Sequence, residues 1–425
     1  MSTETKVPWL RRPITWVAVA GAGLIGSIMT FSYIGGFLDP LGHLSNAPIG
    51  FVNEDAGSNV AGVPLAAGQQ IQQELTANTG DGAIKWRVLS SQAEAERQIR
   101  DNEIWGAVVV PSTFSADVGA IGAAAVAGQA APQAKLTVLA NEGGGLFQSS
   151  FFTELSTKAV ASASESANKQ LVGLLDQAQA TISPVAAVAL GSPVVIDRQD
   201  TVALPDKSGR GMAPFYLAVM ISLTGFLAAS IAGIAVDLER GAERLELFGR
   251  EIDLNVGDGG AWSQWVAKAI CTIIGAALGG LLAVFTAVGV LGMDVSSAPK
   301  AYGMGVLGAV TVGLVSLVFL VLFGIAGELV GVLFTTIFGV PSALGVYPSQ
   351  AVPGIFSWIG SWHPLRYLTD GMRSIAFFDA SGAGLGRAVT VLLLWLIGAA
   401  VLGGAAARLQ DRPVRSGATR PVLQS

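Results

Sequence analysis

The sequence predicts a polytopic α-helical membrane protein of about six transmembrane helices, with an α/β domain inserted between the first helix and the second. Three observations predict this. One long apolar stretch, Ile14–Leu38, opens the chain. About 170 mostly polar residues follow, and the remainder is nearly all hydrophobic down to Ala407. Hydrophobic residues make up 51% of the 425 and charged residues 13%, which is about half the charge fraction of an ordinary soluble domain. Mean hydropathy is correspondingly positive, at +0.56.

A run of ~20 apolar residues crosses the ~30 Å hydrocarbon core as a helix. Six runs qualify: Ile14–Leu38, Phe215–Val236, Trp262–Leu291, Gly303–Ile325, Leu329–Val346 and Ala388–Ala407. The third is long enough to tilt. The fourth and fifth are separated by a short turn at Gly327 and Glu328, and a re-entrant hairpin there is the rival topology. The first run is too long for a signal-peptide core and lacks a small-x-small cleavage site, so it reads as a retained anchor. Fifty-four glycines suit membrane helices, where small residues let backbones approach closely.

Orientation follows from Lys and Arg in short flanks. Lys6, Arg11 and Arg12 precede the first span; Arg240, Arg244 and Arg250 follow the second; Arg408, Arg412, Arg415 and Arg420 follow the sixth. With six spans these groups share one side, the cytoplasm. The expected organisation is a cytoplasmic tail at 1–13, an anchor at 14–38, an extracytoplasmic domain at 39–211, a five-helix membrane domain at 212–407 and a cytoplasmic tail at 408–425.

Within the insert, Pro48–Asn53 reads as a buried strand and Leu65–Thr79 as a helix. Ile84–Leu89 alternates with the period of a strand. Ser91 is placed to cap a helix over 91–102, with Glu94 three residues on. Ile104–Val110 is an apolar strand stopped by Pro111, Ser112–Val126 a helix and Lys135–Ala140 a strand. Alternating strands and helices imply a parallel or mixed α/β sheet. From Gly145 to about Leu190 the Ala-, Ser- and Gln-rich chain carries no strand signal and reads as a long helix or helix pair. The stretch 191–211 reads as the return to the membrane. The insert holds 17 acidic and 10 basic residues, the composition of a solvated surface.

Composition also excludes chemistry. The single cysteine, Cys271, lies in an apolar span, so no intrachain disulfide or cysteine metal site forms. His43 and His363 have no metal-ligand spacing, and a net charge of −5 gives no support for a nucleic-acid partner. There is no G-x-S-x-G and no P-loop motif. No enzyme activity and no cofactor of its own are expected for the chain.

Four places are candidates. Asn53, Glu54 and Asp55 sit at a strand end, where turn chemistry competes with a cation or ligand site. The loop 237–261 mixes Arg240, Glu243, Arg244 and Phe248, the pattern of a short interfacial helix. Glu328 is the one carboxylate embedded between two apolar spans, either an exposed turn residue or a proton or substrate contact. Trp358, Trp362, His363, Arg366 and Tyr367 cluster before the last span as an interfacial helix or an external gate.

Three motifs carry a family resemblance: Ile49-Gly-Phe-Val-Asn-Glu-Asp-Ala-Gly; Ile104-Trp-Gly-Ala-Val-Val-Val-Pro-Ser-Thr-Phe-Ser, with Pro111 and Phe114; and Pro364-Leu-Arg-Tyr-Leu-Thr-Asp-Gly-Met-Arg, ending at Arg373. In this order, with one span before and five after the insert, the chain resembles the YhgE/Pip (phage infection protein) family of the ABC-2-type permease superfamily. The insert is shorter than the family's coiled external segments. The resemblance implies a homodimeric permease subunit of an exporter for a hydrophobic or envelope-associated substrate. It also implies a coupling helix in the loop at Arg240–Phe248, docking on a separate cytoplasmic ATPase that would supply ATP. The alternative is a non-transporting envelope protein whose external domain binds a partner, as a phage receptor or secretion accessory would.

Overall fold

The computed structural model describes residues 13–60, 63–127, 129, 133–177, 190–238, 246–247, 250–251, 260–324 and 326–410. Helix α1 (Pro13–Phe37) leads into a sheet domain. The domain comprises β1 (Ala47–Asn53), the small antiparallel pair β2 (Ser58–Val60) and β3 (Val63–Leu65), α2 (Ala67–Ala77), β4 (Ile84–Leu89), α3 (Gln92–Arg100), β5 (Gly106–Val110), α4 (Phe114–Val126), β6 (Ala134–Asn141), α5 (Leu146–Gln177) and β7 (Val194–Val202). The main sheet has the order β4-β1-β5-β6-β7, parallel except between β5 and β6.

Central strands β1 and β5 are buried on both faces, as a sheet covered by helices on both sides requires. Alternation sorts their side chains. Phe51, Val108 and Val110 pack with Ile71 of α2, Val118 and Ile121 of α4 and Leu171 of α5. Val52, Ala107 and Val109 face α3 through Ala95 and Ile99. Ser91 caps α3 as expected, its side chain accepting the Glu94 N–H at 3.3 Å.

The structure corrects two expectations in this region. Residues 194–202 form the edge strand β7 rather than a plain return segment. The strand expected from Ile104 begins at Gly106, just after Trp105, whose N–H donates to Pro48 O of β1 at 2.9 Å.

After the sheet come α6 (Ala213–Leu238), α7 (Ala261–Val284, continued by a π-helical turn to Val290), α8 (Ala298–Phe323), α9 (Ala326–Ser342, containing a π-helical turn at Leu333–Phe338), α10 (Gly354–Gly360), α11 (Pro364–Phe377) and α12 (Leu385–Gln410). Among the described residues, four helices are long and apolar enough to cross a membrane: Ala213–Asp237, Ala261–Val290, Ala298–Phe323 and Leu385–Gln410. Two further apolar stretches are shorter over their described residues, Gly23–Phe37 within α1 and Ala326–Ser342. At 1.5 Å per residue, the latter rises only about 25 Å.

Small residues bring the long helices together. A Cβ on Gly280 of α7 would meet Gly305 O of α8 at 2.5 Å, and one on Gly225 of α6 would collide with Ala309 O. This is the close backbone approach by which helices associate where apolar burial gives no advantage. Helix α1 lies on α9: the Ser32 hydroxyl donates to Ile337 O, and Tyr33 OH donates to Thr336 O at 3.2 Å.

The turn between α8 and α9 is also displaced from its expected position. It is made by Gly324, at φ +60°, in the left-handed region open to glycine. Gly327 and Glu328 therefore lie inside α9. The sheet domain and the helices share one apolar cluster, which runs from Val52, Ile99 and Val109 through Val202 and Phe215 to Phe377, Leu368 and Leu314.

Candidate functional site

The sheet domain rests on α11 and the start of α12. Helix α11 begins with Pro364 at its first turn, where a missing N–H costs nothing. His363 caps it: Nδ1 accepts the Leu365 N–H at 3.2 Å, leaving Nε2–H to donate to Phe334 O at 3.1 Å. Both ring nitrogens of this fully buried residue are thus committed. Burial holds His363 in its neutral form by pushing its pKa down to about 4.

Along α11, residues 366, 370 and 373 follow a helical repeat and share a face, while Leu365, Leu368, Met372 and Ile375 enter the core. That shared face borders a cavity of about 250 Å³ whose opposite wall is the loop Asp101–Trp105 and Gln148 of the sheet domain. The gate candidates Arg366, Tyr367 and Arg373 meet here, joined by Asp370 and Arg387.

Charge is unevenly matched across this cavity. On the domain side, Asp101 lies 3.7 Å from Arg97 and Glu103 lies 3.7 Å from Arg87. On the helix side, Arg366 Nε is 3.5 Å from Asp370, while Arg373 and Arg387 form no ion pair among the described residues. Arg373 is buried; its Nη2 donates to Gly345 O at 3.0 Å. Arg387 Nη2 reaches Tyr367 OH at 3.4 Å, and its guanidinium stands 5.6 Å from the ring centroid. Three buried polar atoms at the cavity have no hydrogen-bond partner among the described residues: Arg366 Nε, Arg373 Nε and Gln148 Oε1.

The other candidates lie elsewhere. Asp55 is a structural junction. Its Oδ2 accepts the Gly68 N–H of α2 at 3.1 Å and the Ser115 hydroxyl at 2.6 Å, and its Oδ1 accepts the Ser115 N–H of α4 at 2.9 Å. One carboxylate thereby serves the N-termini of two helices, where donors are exposed and negative charge is favoured. Asn53 Oδ1 accepts the Asp55 N–H at 3.1 Å, and Glu54 Oε1 accepts the Gln92 N–H at 2.9 Å. Pro111 ends β5 and its carbonyl accepts the Phe114 N–H at 3.0 Å; Phe114 is a core residue. No cluster of three metal-ligating side chains occurs among the described residues.

Glu328, in the first turn of α9, accepts from the Ser230 hydroxyl of α6 at 2.8 Å, far along the bundle from the cavity. Arg240, Glu243, Arg244 and Phe248 lie outside the described residues. The described residues of their loop pair as two-residue strands, Glu246–Leu247 with Arg250–Glu251, rather than as the expected interfacial helix.

Sequence reasoning missed the domain half of the cavity. Asp101–Trp105 is a helix-to-strand loop, Gln148 opens a helix, and neither carries a spacing that announces a site. Arg387 lies beyond the motif that ends at Arg373.

These features define a membrane protein: four membrane-length apolar helices packed through glycines, with a mixed α/β sheet at one end and a charged cavity where the two meet. The chain belongs to the DUF3533 family, described as proteins of unknown function, whose model matches residues 24–401. No curated protein matches the sequence. Among solved structures, the chain is similar to a crystallised domain provisionally ascribed to an ABC type-2 transporter of Thermotoga maritima MSB8. Identity is 21% over 36% of this chain and 83% of that one, with a TM-score of 0.22.

Proposed function

We propose that this chain is the membrane permease subunit of an exporter of the ABC-2 type, related to the YhgE/Pip group. It would move a hydrophobic or envelope-associated substrate across the bacterial inner membrane. In this reading α1 and α9 cross the membrane with the four long helices, giving six spans. The sheet domain stands outside, both termini are cytoplasmic, the chain works as a homodimer and a separate ATPase supplies the energy. The chain itself performs no chemistry and binds no cofactor.

The observation that carries the reading is the cavity between the sheet domain and α11. Arginines are costly near a membrane and are kept there for function, and these face the domain that would receive the cargo. Helix α9 adds support, since π-helical turns such as its Leu333–Phe338 segment recur at functional sites. The rival reading is partner binding by the external domain. It is favoured by a groove of about 340 Å³ between α2, β4 and α5, lined by Trp86, Phe151 and Lys158.

Two measurements separate the readings. Purification in mild detergent should bring down an ATPase and envelope lipid with the chain, and cells lacking the chain should accumulate that lipid in the inner membrane. Unchanged lipid distribution, with loss of phage adsorption on deleting residues 39–211, would remove the exporter reading.

A further inference from the structure

We propose that the junction cavity and the apolar groove beside it form one binding site for a membrane lipid with a net-negative phosphate headgroup. The headgroup rests against Arg366, Arg373 and Arg387, and an acyl chain lies along α8 and α12. This deepens the transport reading by naming the chemistry of the cargo.

Unmatched charge points to an anion. The cavity brings three guanidinium groups together with the carboxylates of Asp101, Glu103 and Asp370, yet among the described residues Arg373 and Arg387 pair with none of them, while Asp101 and Glu103 stand 3.7 Å from Arg97 and Arg87 of the sheet domain. Arg373, only 6% exposed, keeps Nε–H without an acceptor; Arg366 Nε makes no hydrogen bond either, with Asp370 3.5 Å away. A buried donor left unsatisfied is destabilising. The planar fork of arginine suits phosphate oxygens, which accept from two N–H groups at once.

The second half of the argument is adjacency. A groove of about 490 Å³ runs along the bundle next to this cavity, walled by Val315 and Phe319 of α8 and by Leu394, Trp395 and Leu402 of α12. Tyr367 belongs to both surfaces. Its hydroxyl accepts from Arg387, of the polar cavity, and donates to Ser361 O, of the groove. Trp395 is fixed beside it, its indole N–H donating to Trp362 O at 2.7 Å. A charged pocket and an apolar trough sharing one side chain match an amphiphile with its head and tail joined. A free phosphate would leave the trough unused, and a neutral lipid would leave the guanidinium donors unmatched.

The test uses the full chain purified in neutral detergent, with retained lipid counted by native mass spectrometry. Dioleoyl phosphatidylglycerol should be retained at least about tenfold better than dioleoyl phosphatidylcholine, the difference expected from one charge-assisted contact. Arg387→Gln, at an exposed residue, should erase that preference. Gly398→Trp should lower retention of both lipids, since Gly398 lines the groove and a Cβ there would meet nothing within 4 Å. Glycerol phosphate, a headgroup without a tail, should compete only at much higher concentration.

Equal retention of the two lipids, or a preference that survives Arg387→Gln, would overturn the headgroup assignment. Competition by glycerol phosphate or inorganic phosphate as effective as that by the lipid would overturn the lipid assignment in favour of a soluble anion. The readout involves no flux, so the site can stand while the exporter reading fails, and the reverse.

Discussion

The sheet domain and the helix bundle are built from one chain but differ in how their elements meet and in what they leave exposed. In the domain, bulky residues such as Phe51, Phe114 and Phe152 are fully enclosed, and the surface carries ion pairs such as Lys158–Glu154 and Lys169–Glu165. In the bundle the closest helix contacts are glycine against backbone, while Ile274 and Leu394 remain 63% and 64% exposed. The contrast follows from the solvent each part faces. Water drives large apolar side chains inward. Lipid gives them no reason to leave the surface, so helices associate by fit and close approach.

The sharpest way to break this comparison is to alter the bundle's packing. Gly280→Leu forces a side chain against the Gly305 carbonyl and should cost about 3 kcal/mol or more, seen as loss of folded monomer in detergent. The matching change on the outward face is Ile274→Arg. It should cost about 3 kcal/mol in membrane insertion if that face meets lipid, measured as the inserted fraction in a glycosylation reporter. An outward residue of the domain should not behave this way: Val88→Lys, on the edge strand β4, should change thermal stability by less than about 0.5 kcal/mol.

The domain has its own weak point. Asp55→Ala leaves the first turns of both α2 and α4 without their acceptor and should destabilise the domain by about 2 kcal/mol, at ~1 kcal/mol per cap. Asp55→Asn should recover part of this, as urea denaturation would show. A pH-dependent effect belongs to His363. Its native pKa lies below the unfolded value, so unfolding takes up a proton between about pH 6.5 and about 4. Its contribution is therefore whole above pH 6.5 and is lost as pH falls through that window. Melting temperature followed from pH 7 to 4.5 should fall, and His363→Asn should flatten the slope.

Much of the architecture was legible because the physics is local. The apolar runs foretold the long helices, period-two alternation foretold β4, and Ser91 with Glu94 foretold the start of α3. Strand β7 was hidden because its centre, Asp197–Asp200, is charged, as an edge strand with one solvent face permits. The turn at Gly324 was misplaced onto Glu328, since a carboxylate inside an apolar helix is unexpected until Ser230 is seen to meet it. Motif spacing marked Arg366, Tyr367 and Arg373 as one group. It held nothing to bring Asp101–Trp105 and Gln148 to them, because that meeting depends on how a whole sheet settles on a distant helix.

The account turns on which side of the membrane the sheet occupies. Replace Cys271 by Ser, place single cysteines by Lys158→Cys or Arg408→Cys, and treat intact cells with a membrane-impermeant maleimide. The account predicts that residue 158 is labelled from outside and residue 408 only after the inner membrane is opened. Labelling of residue 408 in intact cells, with residue 158 protected until lysis, would contradict it.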